Sequence, residues 1–212
     1  KLMVVASYLN VPTQGRSTNE IAHDVGVAAL SAFGQQRGEI VYIKRAPAKR
    51  QEIWQRLGLT PRGVDREVVE TLHRTHEGVD QDAEHILDQA LRTSVADGWG
   101  GSMLATDLSD ILFGTPSPLQ SQANLGVLRR DQVNIIVHGH EPTLSEMIVA
   151  ASQDPELIAY AREKGATGIN LAGICCTSNE TLIRQGVPSA GNFLHQELAL
   201  ITGAVDAMVV DV

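Results

Sequence analysis

Side chains that bind transition metals follow two apolar segments of the chain. The segment 138–142, His-Gly-His-Glu-Pro, comes directly after the apolar run 133–137, and Cys175 and Cys176, the two cysteines of the chain, come directly after the run 169–174. Thiolate and imidazole groups are good ligands for iron, nickel and zinc. The adjacent cysteines lack the C-x-x-C spacing of structural zinc sites, so a closed zinc site is not indicated.

Each of these two segments also lies just before a predicted helix. Thr143 with Glu146, and Thr177 with Glu180, have the spacing of a capping box, which satisfies free backbone amides at a helix start. The partial positive charge of a helix N-terminus stabilises thiolates, sulfides or an anionic cluster. Because sites in open parallel sheets form at the carboxyl ends of the strands, we expect a metal or cluster site at that edge.

Ordinary structural roles are the alternative interpretation for these residues. Free cysteines are often buried as small apolar side chains. His138 and His140 would then be hydrogen-bonded loop histidines. Among the other histidines, His195 stays a candidate because it follows a glycine-containing turn.

Aspartates surround the sequence Gly-Trp-Gly-Gly at 98–101. Asp97 precedes it, and Asp107 and Asp110 follow it. Aspartate is frequent at helix ends and turns, so capping is the ordinary interpretation. The sharper interpretation is that this group of aspartates contains a carboxylate that handles protons.

The first part of the chain, 1–130, is predicted to be mainly helical. Helical spacing and capping signals indicate helices near 17–34, 47–57, 65–77, 80–96 and up to 112. The apolar segment 40–43 has the composition of a short strand. The Gly-Trp-Gly-Gly sequence at 98–101 is expected to end the helix predicted at 80–96.

From 131 to 212, apolar runs alternate with helical patterns. Strands are predicted at 133–137, 169–174 and 207–212, and helices from 143, over 155–164 and 178–185, and over 193–202. This alternation predicts βαβ units and a parallel sheet. The predicted fold is therefore α/β, a helical region followed by a partial Rossmann-like domain. Because a chain seldom stops inside its core, the last apolar run indicates a piece of a longer polypeptide.

Composition excludes several classes of protein. The 212 residues carry a net charge of -8 and are 43% hydrophobic, with no apolar run long enough to cross a membrane. The acidic balance argues against nucleic acid and anionic membranes as partners. Without a recognisable leader, we expect a cytoplasmic location. The phosphate-binding and serine-hydrolase motifs G-x-x-x-x-G-K-[ST] and G-x-S-x-G are absent from the sequence.

Several longer motifs occur in order along the chain. They are Asp-Gly-Trp-Gly-Gly-Ser at 97–102, His-Gly-His-x-Pro at 138–142, Gly-Ile-Asn-Leu-Ala-Gly-Ile-Cys-Cys-Thr at 168–177, Ala-Gly-Asn-Phe at 190–193 and Ile-Thr-Gly-Ala-Val-Asp-Ala-Met-Val-Val-Asp at 201–211. Together they resemble the catalytic subunit of anaerobic nickel-iron carbon monoxide dehydrogenases.

The resemblance implies reversible oxidation of CO with water to CO2, two protons and two electrons at a Ni-Fe-S cluster of the NiFe4S4 type. By position, His140 matches the histidine on the iron outside the cubane, Cys176 matches a cluster cysteine with Cys175 as its neighbour, and Asp97 matches a carboxylate that helps to move protons. The resemblance further implies a homodimer, a ferredoxin-type electron carrier, and 4Fe-4S clusters bound by regions outside this segment.

This sequence departs from the family pattern at a few positions. Glu141 and Ser178 stand where Asn or Asp, and Gly, are more usual, and the next cluster cysteine is expected just past Asp211. The isolated segment is therefore expected to be inactive. Two alternatives stay open: a nickel-free hybrid-cluster protein of the hydroxylamine reductase type, which the paired cysteines and histidines disfavour, and a scaffold fragment that binds no cluster.

Overall fold

The structure, a computed structural model, describes residues 1–211 apart from the side chains of Leu182 and Ile183. It divides into two units, Lys1–Leu112 and Phe113–Val212, and the α/β fold class is confirmed. The division falls before the predicted boundary at 130. The reason is that the intervening segment packs on the sheet of the second unit, where the Asn124 amide donates to the Ser189 carbonyl at 3.0 Å.

Helices form the first unit. They are α1 (Leu2–Tyr8), α2 (Thr18–Phe33), α3 (Ala48–Arg56), α4 (Val64–Thr75), α5 (Ala83–Ala96) and α6 (Met103–Phe113). Side chains position their ends: Ser17 and Glu20 form a capping box at the start of α2, and the Asp82 carboxylate accepts the amides of Glu84 and His85 in the first turn of α5.

The predicted strand at 40–43 is wrong. Val41–Arg45 is a 3-10 helix. Ile40, Tyr42 and Ile43 are buried in the helical core, together with Trp54. Their apolar side chains pack between helices. A short apolar run in a sequence is compatible with such packing and with a buried strand, so the pattern alone does not distinguish the two.

The prediction that the glycine-rich segment at 98–101 ends the helix before it is wrong. Asp97–Ser102 is a π-helical turn that joins α5 to α6. A Cβ on Gly100 would lie 2.8 Å from Val64 Cγ2 and 2.9 Å from Ile40 Cδ1. The glycine therefore permits close helix packing, and it does not mark a helix end.

A parallel four-stranded sheet organises the second unit. Its strands are β1 (Val133–His138), β2 (Ile169–Ile174), β3 (Ser189–Gly191) and β4 (Ala207–Val210), in the order β3-β2-β1-β4. This is the order of the first four strands of a Rossmann fold, in agreement with the predicted partial Rossmann-like domain. The strands predicted at 133–137 and 169–174 are confirmed, and the last one ends at Val210; Val212 lies outside the described residues.

Helices cover both faces of this sheet. They are α7 (Pro142–Ser152), α8 (Pro155–Glu163), α9 (Cys175–Gln185) and α10 (Gln196–Ile201), with a 3-10 turn at Phe193–His195. Ile136, Ile174 and Ala199 share one core cluster, and Leu171 lies with Val149 in another. Burial on both faces explains the continuous apolar runs of β1 and β2. Among the described residues, none of the helices has the length and apolar character needed to span a bilayer.

An ion-pair network runs along α4 and joins it to the segment before it. Glu70 accepts hydrogen bonds from Arg62 at 2.7 Å, Arg66 at 3.1 Å and Arg74 at 2.9 Å. Burial opposes ionisation of Glu70, but the hydrogen bonds from Arg74 and Arg62 outweigh it and lower the pKa to about 2.

We expect Glu70→Gln to lower the free energy of unfolding by about 1–2 kcal/mol near pH 7. Because the folded pKa lies below the ordinary value of 4.5, this contribution is complete above about pH 5 and is lost as the pH falls toward 2. Denaturant unfolding of the full-length protein between pH 3 and 7 measures it. Glu52→Gln, an exposed glutamate on α3, is the control, and equal acid profiles for the two variants would contradict the prediction.

Candidate functional site

The candidate site lies at the carboxyl edge of the sheet. In the strand register, His138 of β1 pairs with Ile174 of β2 and with Val210 of β4, so the three strands end at one level. From β1 the chain proceeds to β2 and β3 on one side, while β4 is added on the other. A crevice for ligands opens at such a switch point, outside the strand ends.

Asp211 holds the loop that carries His140. Its carboxylate accepts the amide of His140 at 2.6 Å and that of Glu141 at 2.5 Å. Its own amide donates to the His138 carbonyl at 3.0 Å. Gly139, with φ +138°, leaves room for this carboxylate, because a Cβ there would overlap Asp211 Oδ1.

Glu141 caps helix α7, in place of the capping box predicted for Thr143 and Glu146. Its carboxylate accepts the amides of Thr143 at 3.0 Å and Leu144 at 2.5 Å. The hydrogen bond from the Leu144 amide is the main cause that holds the pKa of Glu141 below its usual value. Glu146 is instead buried and accepts a hydrogen bond from Gln185 at 2.9 Å. The departure at position 141 thus retains an acceptor side chain at the helix start.

The cysteine pair opens helix α9, which begins three residues earlier than predicted. Cys175 has φ +66°, a left-handed conformation that is unusual for a residue with a Cβ. It is half-buried, Cys176 is exposed, and both thiols are free. The Thr177 amide donates to the Gly139 carbonyl at 2.8 Å, which ties the cysteine turn to the His140 loop.

Several buried polar atoms flank the two junctions without a hydrogen-bond partner among the described residues. They are both ring nitrogens of His138, Thr177 Oγ1 and Ser178 Oγ. The predicted capping box at Thr177 is therefore not formed, and Glu180 pairs with Arg184. Ser178 lies where α9 approaches β2 closely, since a Cβ on Gly173 would be 2.5 Å from Ser178 Cα. Uncompensated buried polar groups are costly and often mark functional sites.

A cleft of about 460 Å³ adjoins the cysteines. Its lining includes Cys175, Cys176, Asn179, Asn192 and His195. The backbone amide of Asn192 donates to Nδ1 of His195 at 3.1 Å, so the neutral ring carries its proton on Nε2. His195 therefore belongs to the surroundings of the cysteines.

The predicted site residues fall in both units. His140, Cys175 and Cys176 lie at the edge of the sheet in the second unit, where His140 and Cys176 are exposed. Asp97 is an exposed residue of the π-helical turn in the first unit.

Asp107 and Asp110 have a structural role. Both are buried and bind the Lys1 ammonium, at 2.7 and 3.0 Å. Asp107 also accepts hydrogen bonds from Tyr42 at 2.9 Å and Arg45 at 2.8 Å. They are internal ion-pair partners, and the helix-capping interpretation is wrong for them.

Soft donors from this chain fit part of a metal-ligand set. Cys176 and His140 supply the ligand types that iron and nickel accept, and the unpartnered polar atoms beside them mark the edge as a functional site. Within residues 1–211 no three His, Cys, Asp or Glu side chains, of those described, come together as a metal site. The described residues alone therefore offer an incomplete set of ligands.

Sequence reasoning missed Asp211 and Glu141 as functional positions. Asp211 stands directly after the last apolar run, so the rule that selected the other strand ends would have found it. For Glu141 the local signal is Pro142, because proline is favoured at the first position of a helix and the residue before it is then the cap.

Comparisons with known proteins agree on one family. The model of the Prismane/CO dehydrogenase family matches residues 1–212. Carbon monoxide dehydrogenase 1 of Methanosarcina mazei is 61% identical over 212 residues, which are 100% of this chain and 34% of that protein. Carbon monoxide dehydrogenase 2 of Carboxydothermus hydrogenoformans is 46% identical, over 100% of this chain and 33% of that protein.

Solved structures give the same result. The as-isolated, Ni-free carbon monoxide dehydrogenase from Thermococcus sp. AM4, produced without the CooC maturase, superposes with a TM-score of 0.93 at 50% identity, over 100% of this chain and 34% of that one. The chain thus spans about a third of the length of the relatives it matches.

We expect Gly139→Ala to disrupt the His140 loop, because the new methyl group would overlap the Asp211 carboxylate. Gly165→Ala is the matched control: Gly165 also has a positive φ, of +97°, but has no atom within 4 Å of a Cβ. Backbone strain of about 1–3 kcal/mol is common to both variants. Denaturant unfolding of the full-length protein should therefore show a larger loss for Gly139→Ala, and equal losses would contradict the steric argument.

Proposed function

Because the chain belongs to the Prismane/CO dehydrogenase family, we propose that it is part of a nickel-iron carbon monoxide dehydrogenase and supplies two ligands to its Ni-Fe-S cluster. The reaction is the reversible conversion of CO and water to CO2, two protons and two electrons. The observation that carries the proposal is the convergence of a histidine loop and a cysteine turn at the carboxyl edge of a Rossmann-like sheet, tied by the Thr177–Gly139 hydrogen bond.

His140 and Cys176 are the proposed ligands, through an imidazole nitrogen to iron and a thiolate to the cluster. When bound, the cluster, of the NiFe4S4 type, supplies Lewis-acid metals for CO and water and accepts the electrons. The structure of the Thermococcus relative is the Ni-free form of that enzyme, which implies that the relative also has a form with nickel. This supports nickel as the second metal of the proposed cluster. The remaining ligands and further 4Fe-4S clusters come from regions outside this segment.

The rest of the chain prepares these ligands. The N-terminal turn of α9 places partial positive charge at Cys175 and Cys176, which favours an anionic cluster beside them. Cys175 is the half-buried neighbour that fixes the turn, and its left-handed backbone presents Cys176 at the surface. Asp97 is the proposed proton-handling carboxylate.

Partners and location are part of the same proposal. CO, CO2 and water are the substrates, a ferredoxin-type carrier exchanges electrons, and the enzyme is a cytoplasmic homodimer without nucleic-acid or membrane partners. The names of the relatives favour the dehydrogenase over the hybrid-cluster alternative.

Metal analysis of the anaerobically purified full-length protein tests this function. We expect nickel, iron and acid-labile sulfide, and CO-dependent dye reduction that is lost in His140→Ala because the iron loses its imidazole ligand. His76→Ala, an exposed histidine of the first unit, should keep the activity. Iron and sulfide without nickel or CO activity would support the hybrid-cluster alternative, and protein without any metal would support a scaffold.

Asp97→Asn tests the proposed proton transfer. The amide retains the size of the side chain but cannot take up a proton, so kcat should fall by about 10²-fold or more with KM and nickel content unchanged. Asp88→Asn, an exposed aspartate on α5, is the control and should leave kcat unchanged. An unchanged kcat in Asp97→Asn would remove this residue from the mechanism.

A further inference from the structure

Asp211 makes an unusually complete set of contacts with the loop that carries His140. One carboxylate oxygen accepts the His140 amide at 2.6 Å, and the other accepts the Glu141 amide at 2.5 Å. The Asp211 amide donates to the His138 carbonyl at 3.0 Å. Three hydrogen bonds therefore connect one residue at the end of β4 to the loop after β1.

These contacts restrict the backbone at the ligand itself. Hydrogen bonds from amides to a carboxylate are short and about twice as strong as neutral ones. Holding the amides of two consecutive residues fixes the peptide plane on each side of the His140 Cα, and therefore the direction of its side chain. Gly139 makes this possible, because any larger residue would occupy the position of Asp211 Oδ1.

The position of Asp211 is in turn set by the sheet. Val210 pairs with His138 in the parallel register, so Asp211 leaves β4 at the level where the loop leaves β1. Both carboxylate oxygens already accept an amide, so the group is engaged in holding the backbone.

From this geometry we infer that Asp211 is a positioning residue for His140: it sets the direction in which the imidazole leaves the loop and thereby the geometry of the metal that His140 binds. The inference rests on the proposed function for the identity of the metal. The clamp on the loop itself can be measured without any metal.

The opposite end of β4 offers a matched control. The Asp206 carboxylate accepts the backbone amide of Asn134 at 2.8 Å, and the backbone amide of Asp206 donates to the backbone carbonyl of Asn134 at 3.0 Å. The same residue type thus makes the same kind of contact between the same two strands, at the edge away from His140. Asp206→Asn therefore removes a comparable hydrogen bond without touching the loop.

The first measurement is amide hydrogen exchange in the metal-free full-length protein. Asp211→Asn keeps the shape of the side chain but presents an amide NH2 to one of the two backbone donors. Exchange at His140 or Glu141 should become at least about tenfold faster, the factor expected for loss of one charge-assisted hydrogen bond. Asp206→Asn should leave these two amides unchanged, and wild-type exchange rates in both variants would overturn the clamp.

The second measurement is the electron paramagnetic resonance spectrum and nickel content of the anaerobically loaded enzyme. A positioning role predicts altered g values or lowered nickel in Asp211→Asn, a larger effect in Asp211→Ala and partial recovery in Asp211→Glu, which restores the charge. Asp206→Asn should match the wild type even if its stability falls.

The two proposals fail in different ways. A wild-type protein without nickel would refute the proposed function, while hydrogen exchange would still decide whether Asp211 holds the loop. A wild-type protein with nickel, and an Asp211→Ala variant with the wild-type spectrum and nickel content, would overturn the positioning role alone.

Discussion

The parallel pairing of β1 with both β2 and β4 is the constraint on which the candidate site depends. It brings His138, Ile174 and Val210 to one level, so the segments that follow them meet at a single edge. A slip of one residue would turn every strand side chain to the other face and move the loops apart. Burial of both faces makes such a slip costly, since the apolar residues of β1 pack against helices on each side.

The edge of the sheet carries energetic costs. Cys175 adopts a left-handed backbone, and His138, Thr177 and Ser178 bury polar atoms that have no partner among the described residues. Strain and unsatisfied polar groups persist only where surrounding packing holds them in place. Here the packed sheet supplies that support, and the Asp211 contacts add to it. Backbone strain and unpaired polar atoms that are held in place by a rigid sheet are the arrangement expected of a binding site.

The first unit achieves order by other means. Its helices bury acidic groups inside networks of positive charge: Glu67 is fully buried against Arg62, and Asp107 joins Lys1 and Arg45. Removing one partner of such a pair would leave an uncompensated charge, so each network links the segments that contribute to it. The π-helical turn that contains Asp97 is a local departure from regular helix, and such departures are frequent at functional positions.

Much of this molecule is determined by sequence patterns that act locally. The cap at Ser17 follows from backbone amides that need partners at a helix start. The periodicity of apolar residues predicts the alternation of strands and helices, and with it the position of His140 and the cysteines after strands. The tertiary structure decided what depends on residues distant in the chain. Packing decided that 40–43 lies in a helical core, and strand register decided that Asp211 reaches the His140 loop. Contacts between positions 71 residues apart, such as His140 with Asp211, leave no local pattern because they exist only once the sheet has formed.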